Sequence, residues 1–272
     1  MNTIKLNNGK LIPQLGLGVY QTPEGEATVN AVKWALEAGY RHIDAAKVYG
    51  NEAEVGKGML ESGVPREEIF LTTKLWNDDV RAGRAKEAFA ESLKSLQTDY
   101  VDLYLIHWPV DGFEKAWSDL EELYEAGKIK AIGLSNFHKE HIERIEKIAH
   151  IKPAVNQVES HPYMNNQALI DLSKSYGMEV EVWSPLGGTG GNLLSDQTLQ
   201  ALATKYGKSP AQIVLRWDIQ REVIVIPKST HKERIEVNMD VFDFELTSED
   251  MDIINQLDRG ERVGPDPDNF DF

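Results

Sequence analysis

Two hydrophobic periods alternate along this chain. Short runs that are apolar throughout, or at every second position, predict strands; longer stretches with apolar residues three and four apart predict helices. Thr3-Ile4-Lys5-Leu6 and Lys10-Leu11-Ile12 flank Asn7-Asn8-Gly9, which predicts a hairpin about an Asn-Gly turn. Strand-like runs follow at 16–19, 40–44, 69–74, 101–106, 131–134, 154–158, 179–183 and 223–226. Helical spacing fills the gaps at 27–38, 53–60, 85–96, 113–124, 141–149 and 167–176. Two helical stretches, 197–206 and 209–220, follow the seventh run, and 232–239 follows the eighth. A last helix at 248–257 precedes an acidic, proline-containing tail.

Eight strands, each followed by a helix, predict an α/β fold: a closed parallel (β/α)8 (TIM) barrel with an N-terminal β-hairpin and extra helices near the C-terminal end. An open dinucleotide-binding sheet is the competing architecture. It needs G-x-G-x-x-G after the first strand, and Gly16-Leu17-Gly18-Val19-Tyr20-Gln21 has two of the three glycines. Residues 1–272 are expected to form a single domain, since such barrels run to about 250 residues and no linker interrupts the alternation.

Composition narrows the chemistry. With no cysteine among the 272 residues, disulfides, thiolate metal sites and a Cys nucleophile are ruled out. A net charge of −15 argues against nucleic acid as a partner. Residues 1–5 lack a signal-like apolar run, and no stretch has the roughly 20 apolar residues of a membrane span. We expect a cytoplasmic protein without a membrane partner, acting as a monomer.

In a barrel of this type the active site forms where the strands' C-terminal ends open into loops. The second strand ends at Asp44, with Tyr49 on the loop beyond; the third ends at Lys74; the fourth runs into His107-Trp108-Pro109. Neighbouring strands lie about 4.8 Å apart, so these four side chains can converge. Singly, each has a bland reading: Lys74 a solvated terminus, Asp44 with Lys74 a structural ion pair, His107 a satisfied core histidine. Together, on three consecutive strand ends, they describe a proton donor. A lysine ammonium beside Tyr49 is expected to favour the phenolate and lower the tyrosine pKa, with Asp44 orienting the lysine and His107 bonding a substrate oxygen.

With these residues in view, the chain resembles the aldo-keto reductases, nearest the bacterial diketogluconate reductase-like branch. The resemblance is carried by Gly16-Leu17-Gly18, Ile43-Asp44 through Tyr49-Gly50-Asn51-Glu52, Thr73-Lys74-Leu75-Trp76, Leu105-Ile106-His107-Trp108-Pro109 and Gly133-Leu134-Ser135-Asn136-Phe137. It continues through Asn156-Gln157, His161-Pro162-Tyr163, Ile226-Pro227-Lys228-Ser229 and Val241-Phe242-Asp243-Phe244, in family order from end to end. It implies the catalytic set Asp44, Tyr49, Lys74 and His107, with Tyr49 as the acid, and reversible NADPH-dependent reduction of a small aldehyde or ketone.

The resemblance also implies a cofactor site. Ser135, Asn136 and Gln157 would hold the nicotinamide carboxamide, and Trp183 would stack on the ring. Beyond Trp183, Ser184-Pro185-Leu186-Gly187-Gly188-Thr189-Gly190-Gly191 is a loop whose glycines let backbone N–H groups approach a pyrophosphate, with Ser184, Leu186 and Gly187 as expected contacts. Lys228, Lys232 and Arg234 form a basic cluster in an acidic chain, placed where barrels often bind phosphate. The resemblance assigns Lys228, Ser229 and Arg234 to the adenosine 2′-phosphate and Asn238 to the adenine. Tyr20, Trp76, His107 and Trp108 would line the substrate pocket, with Phe270 and Phe272 covering it. The chain departs from the family at Val237, where glutamate is frequent, and at Ala45, where threonine is common. Lys47 is expected to be a solvated surface charge.

Two other functions compete. A metal-dependent barrel hydrolase would use His138 and His141, which fall near a helix start and not at a strand end. A binding protein with the same fold would need no intact Asp-Tyr-Lys-His set.

Overall fold

The computed structural model describes residues 2–272. The chain opens with an antiparallel hairpin of β1 (Thr3–Lys5) and β2 (Leu11–Pro13), turned at Gly9 with φ of +85°, a conformation that glycine adopts without strain. Eight parallel strands follow: β3 (Leu17–Gly18), β4 (His42–Asp44), β5 (Phe70–Leu75), β6 (Leu103–Ile106), β7 (Ile132–Ser135), β8 (Val155–Glu159), β9 (Glu179–Trp183) and β10 (Ile224–Val225). Each pairs with the next in sequence order. The first and last meet as well: Leu15 bridges Val225 in parallel, and the Gly16 and Gly18 N–H groups donate to Val225 O and Pro227 O at 2.9 and 3.1 Å. The sheet is therefore closed.

The helices wrap the outside: α1 (Glu26–Glu37), α2 (Glu52–Ser62), α3 (Asn77–Arg81), α4 (Ala85–Leu96), α5 (Phe113–Glu125), α6 (Lys139–Glu146), α7 (Gln167–Ser175), α8 (Gln197–Tyr206), α9 (Pro210–Gln220), α10 (Lys232–Met239) and α11 (Ser248–Asn255). Their buried faces follow the expected spacing; α5 buries Phe113, Ala116, Trp117 and Leu120 against the barrel. In α9, Pro210 occupies the first turn and Ser209 with Gln212 forms a capping box. Among the described residues no helix is long and apolar enough to cross a membrane.

Sequence and structure differ at particular boundaries. Helix α2 is longer than 53–60, running on until Gly63 takes φ of +71°. Helix α6 starts and ends before 141–149, because His141 Nδ1 accepts the N–H of His138 at 3.2 Å and so caps the helix start. Helix α3 was not expected at all.

Strand alternation sorts side chains between barrel interior and helix layer. Leu103 and Leu105 pack inward with Leu6, Ile12, Phe70 and Val155, so the hairpin plugs the N-terminal mouth of the barrel. Asn7 and Asn8 fasten it there through Nδ2 bonds to Pro153 O (2.7 Å) and Lys130 O (2.9 Å). Toward the opposite mouth, the buried residues at alternating positions are polar: His42 and Asp44, Thr72 and Lys74, Gln157, Glu181. The interior thus runs from apolar at the plugged end to polar at the open end.

Candidate active site

Strands β4 and β5 bring Asp44 and Lys74 together. Lys74 is fully buried; its Nζ donates to Asp44 Oδ1 at 2.6 Å and to Ala45 O at 2.8 Å, and lies 3.4 Å from the Tyr49 hydroxyl. Burial works against the ammonium, yet Asp44 and Tyr49 outweigh it and hold Lys74 above its ordinary value. Lys74 is therefore a cation beneath the phenol.

Tyr49 sits on a single 3-10 turn, Lys47–Tyr49, that ends at Gly50 with φ of +73°. Two anchors fix this turn. Asn51 Nδ2 donates to Val19 O (3.0 Å) and Thr22 Oγ1 (2.9 Å), tying it to the loop after β3. Lys47 Nζ bonds Asp79 Oδ2 of α3 (2.8 Å) and Glu91 Oε2 of α4 (2.6 Å). Lys47 is thus a clamp and not the free surface charge expected from sequence. The expected direction of the Tyr49 shift also needs correction. Burial pushes the phenol up to about 12, and Lys74 only limits that rise. Sequence supplies the lysine, but the desolvation of a half-buried side chain packed against Tyr20, His107 and Lys74 belongs to the fold.

His107 follows β6, its ring 5.8 Å from that of Tyr49 and 5.3 Å from that of Trp76, both edge-on. Burial, reinforced by Lys74, holds its pKa well below the usual histidine range, so it acts as a neutral hydrogen-bonding group. Asp44, Tyr49 and His107 all open onto one cleft of about 1530 Å³, while Lys74 lies beneath its floor.

The remaining expected residues line the same cleft in an ordered sequence. Ser135 Oγ donates to Gln157 O at 3.1 Å. Asn136, with φ of +64°, donates to His107 O and to Ser135 Oγ, both at 3.1 Å, and accepts from Trp183 Nε1 at 2.9 Å. Its amide therefore locks the indole and the histidine loop to each other. Gln157 Nε2 bonds Asp44 Oδ2 at 2.8 Å, which ties this group to the Asp44–Lys74 pair. Ser184, Leu186 and Gly187 continue along the glycine-rich loop, which a Thr189 Oγ1 to Gln21 Oε1 bond of 2.8 Å fastens across the cleft. Lys228 and Ser229 after β10, and Arg234 and Asn238 on α10, line the far end. Among the described residues neither Lys228 nor Arg234 has a carboxylate within ion-pair distance. Lys232, grouped with them in the sequence, faces elsewhere and pairs with Glu236 at 3.8 Å.

At the opposite end the walls are aromatic. Tyr20, Trp76 and Trp108 line the cleft, and Phe272 stacks on Trp76 with rings 5.9 Å apart and nearly parallel. Phe270 packs on Trp108 at 5.0 Å but stands behind the lining. The tail is fixed by Glu159, whose Oε1 accepts the Val263 N–H at 2.6 Å, and by Arg81, which donates to Phe272 O at 2.7 Å. Gly264 lies so close to Trp183 that a Cβ there would meet the indole at 2.3 Å.

Sequence reasoning missed Gln21, Glu159 and Glu181. The first two are ordinary polar loop and strand-end residues until a distant segment reaches them. Glu181 alternates with apolar neighbours, a pattern that ordinarily marks a solvent-facing strand position.

Comparison with known proteins agrees with this architecture. Residues 14–259 match the Aldo/keto reductase family. The chain is 50% identical over 272 residues to glyoxal reductase of Bacillus subtilis, covering 100% of this chain and 98% of that protein. It is 46% identical over 270 residues to methylglyoxal reductase DkgA of Escherichia coli, covering 98% and 97%. Among solved structures it resembles MGS-M4, an aldo-keto reductase enzyme from a Medee basin deep-sea metagenome library, with a TM-score of 0.95 and 46% identity over 99% of this chain and 100% of that one. The chain belongs to the aldo/keto reductase family, oxidoreductases that reduce carbonyl groups with nicotinamide cofactors, and stands near its bacterial diketogluconate- and methylglyoxal-reductase-like members.

Proposed function

We propose that this protein reduces small aldehydes or ketones to alcohols with NADPH, reversibly, and that Tyr49 is the proton donor. The observation that carries this reading is the Tyr49 hydroxyl 3.4 Å from a fully buried Lys74 ammonium, on a cleft whose far end holds two cations without carboxylate partners. All these groups lie on one barrel, which supports a single catalytic domain.

The cleft fits the cofactor. Ser135, Asn136, Gln157 and Trp183 would frame the nicotinamide, with Asn136 acting chiefly by fixing Trp183 and Ser135, since its own amide groups are engaged. Backbone N–H groups of the loop at Ser184 and Leu186 suit a pyrophosphate, while Gly187, whose own N–H donates to Ser184 O at 2.9 Å, turns the loop. Lys228, Ser229 and Arg234 supply charge and a hydroxyl for the 2′-phosphate, and Asn238 lies beside them for the adenine. When bound, the reduced nicotinamide supplies the hydride.

The protein's own groups do the rest. The substrate oxygen sits between Tyr49 and the neutral His107, which holds it by a hydrogen bond. Tyr49 gives its proton to that oxygen as negative charge develops there, and Lys74 stabilises the phenolate left behind. Asp44 keeps Lys74 charged and aimed. Trp76, Trp108 and Phe272 exclude water from the reacting centre. In alcohol oxidation the phenolate takes the proton back.

The relatives named for glyoxal and methylglyoxal make small dicarbonyl aldehydes the first substrates to try. The test is NADPH consumption with a panel of such compounds. Substrate-dependent oxidation supports the reading, and none across the panel overturns it.

A further inference from the structure

Beneath the Asp44–Lys74 pair lies a carboxyl group for which the proposed reaction has no use. Glu181, on β9, is fully buried in the barrel. Its Oε1 accepts from Gln157 Nε2, the same nitrogen that reaches Asp44 Oδ2 at 2.8 Å, so one amide bridges two carboxyl groups. Its Oε2 has no hydrogen-bond donor, and the His42 Nε2 atom stands 3.7 Å away.

The charges here do not balance if both acids are ionised. Facing Glu181 are Asp44 and His42 from β4, Lys74 from β5 and the uncharged Gln157 from β8; its register partner on β10 is Ile224. Burial pushes the His42 imidazole down to about 4, so it is neutral. Lys74 is the one cation, and it pairs with Asp44. A second buried anion would have no partner, a costly arrangement. As a carboxylate oxygen, Oε2 would also lack any donor. As an acid, the Glu181 carboxyl has the neighbouring Asp44 carboxylate as an acceptor. Burial first, and the adjoining Asp44 charge second, hold the Glu181 carboxyl well above the usual range.

We propose that Glu181 is a positioning residue that carries a proton: an uncharged acid under Asp44 that leaves one anion to balance Lys74 and turns the Gln157 amide nitrogen inward. Its catalytic consequence rests on the reading of Tyr49 and Lys74 given above. An ionised Glu181 would offset the field of Lys74 at Tyr49. A protonated one leaves that field to Asp44 alone and leaves the Gln157 oxygen free for the cleft.

The experiment has two arms. The first takes infrared difference spectra of the wild-type apoprotein against Glu181→Gln at neutral pH. The expected change is loss of a protonated-carboxyl C=O absorption; loss of a carboxylate pair of bands overturns the proposal. The second compares kcat and its pH profile for Glu181→Gln and Glu181→Leu with methylglyoxal and NADPH. Gln keeps the neutral charge and a donor, so rate and profile should match wild type. Leu removes the partner of Gln157 and should lower kcat by about ten-fold, the cost of one buried hydrogen bond. A shifted profile in the Gln variant, or wild-type kcat in the Leu variant, overturns the positioning role. If the wild-type protein itself reduces no carbonyl, the proposed function fails, while the infrared arm still decides the proton.

Discussion

Two opposed influences act on Tyr49. Burial disfavours the phenolate and Lys74 favours it, with burial the larger. With the phenol pushed up to about 12, Tyr49 is protonated throughout the neutral range, which suits an acid in reduction. Lys74 then matters for the charge that appears as the proton leaves. Lys74→Met should slow reduction by about ten- to a thousand-fold, the effect of one to three pKa units, with little change in profile between about pH 6 and 9. Alcohol oxidation needs the phenolate, so its rise with pH should move to still higher pH. Steady-state rates in both directions check this; wild-type rates in the variant would remove Lys74 from the reaction. The four side chains on three strand ends were legible because strand ends carry the chemistry in this fold. The sign of the Tyr49 shift was not, because desolvation depends on Tyr20 and His107, which only the fold packs against the phenol.

At the scale of elements, the alternation of period-two and helical stretches specified eight strands and their helices, and each strand pairs with its successor. What it missed has local causes. Helix α3 is short and largely polar, Asn77-Asp78-Asp79-Val80-Arg81, with too little apolar spacing to register. Lys47 looked solvated because its partners, Asp79 and Glu91, belong to helices that only tertiary packing brings near. Glu181 was missed because its alternating pattern is that of a sheet face meeting water, whereas the inside of this barrel is polar toward its open mouth. Gly133 was noticed only within a motif, yet it sets how closely strands pack. A Cβ there would lie 2.6 Å from Val155 O and 2.8 Å from Leu105 Cδ2, and a backbone carbonyl has little room to yield. Gly133→Ala should therefore destabilise the protein by about 1–3 kcal/mol, as overpacked cores do. Denaturant titration gives the answer, and an unshifted midpoint would mean that β7 has slack against β8.

The molecule as a whole carries a net charge of −15, yet one end of its cleft presents Lys228 and Arg234, neither of them ion-paired among the described residues, with Glu233 as the acid that lines the cleft beside them. That local reversal is what a phosphate-bearing ligand requires in an acidic protein. Arg234→Ala should weaken NADPH binding by roughly ten- to a hundred-fold, since a charge-assisted hydrogen bond contributes about 1.5–3 kcal/mol, and should leave NADH binding nearly unchanged. The NADPH preference should also shrink with added salt. Titration of both cofactors decides it: equal losses would assign Arg234 to the adenosine or to the fold. Closure of the barrel, through residues 14–18 meeting 225–227, is what places this basic end and the Tyr49 end on a single cleft. On the proposed function, this cleft joins a phosphate-reading end to a proton-donating tyrosine. The most direct test is Tyr49→Phe, measured for NADPH affinity and for turnover of an aldehyde at saturating NADPH. NADPH binding should be unchanged and kcat lower by about 10²–10⁴-fold, the usual contribution of a general acid. Turnover near the wild-type rate would contradict it.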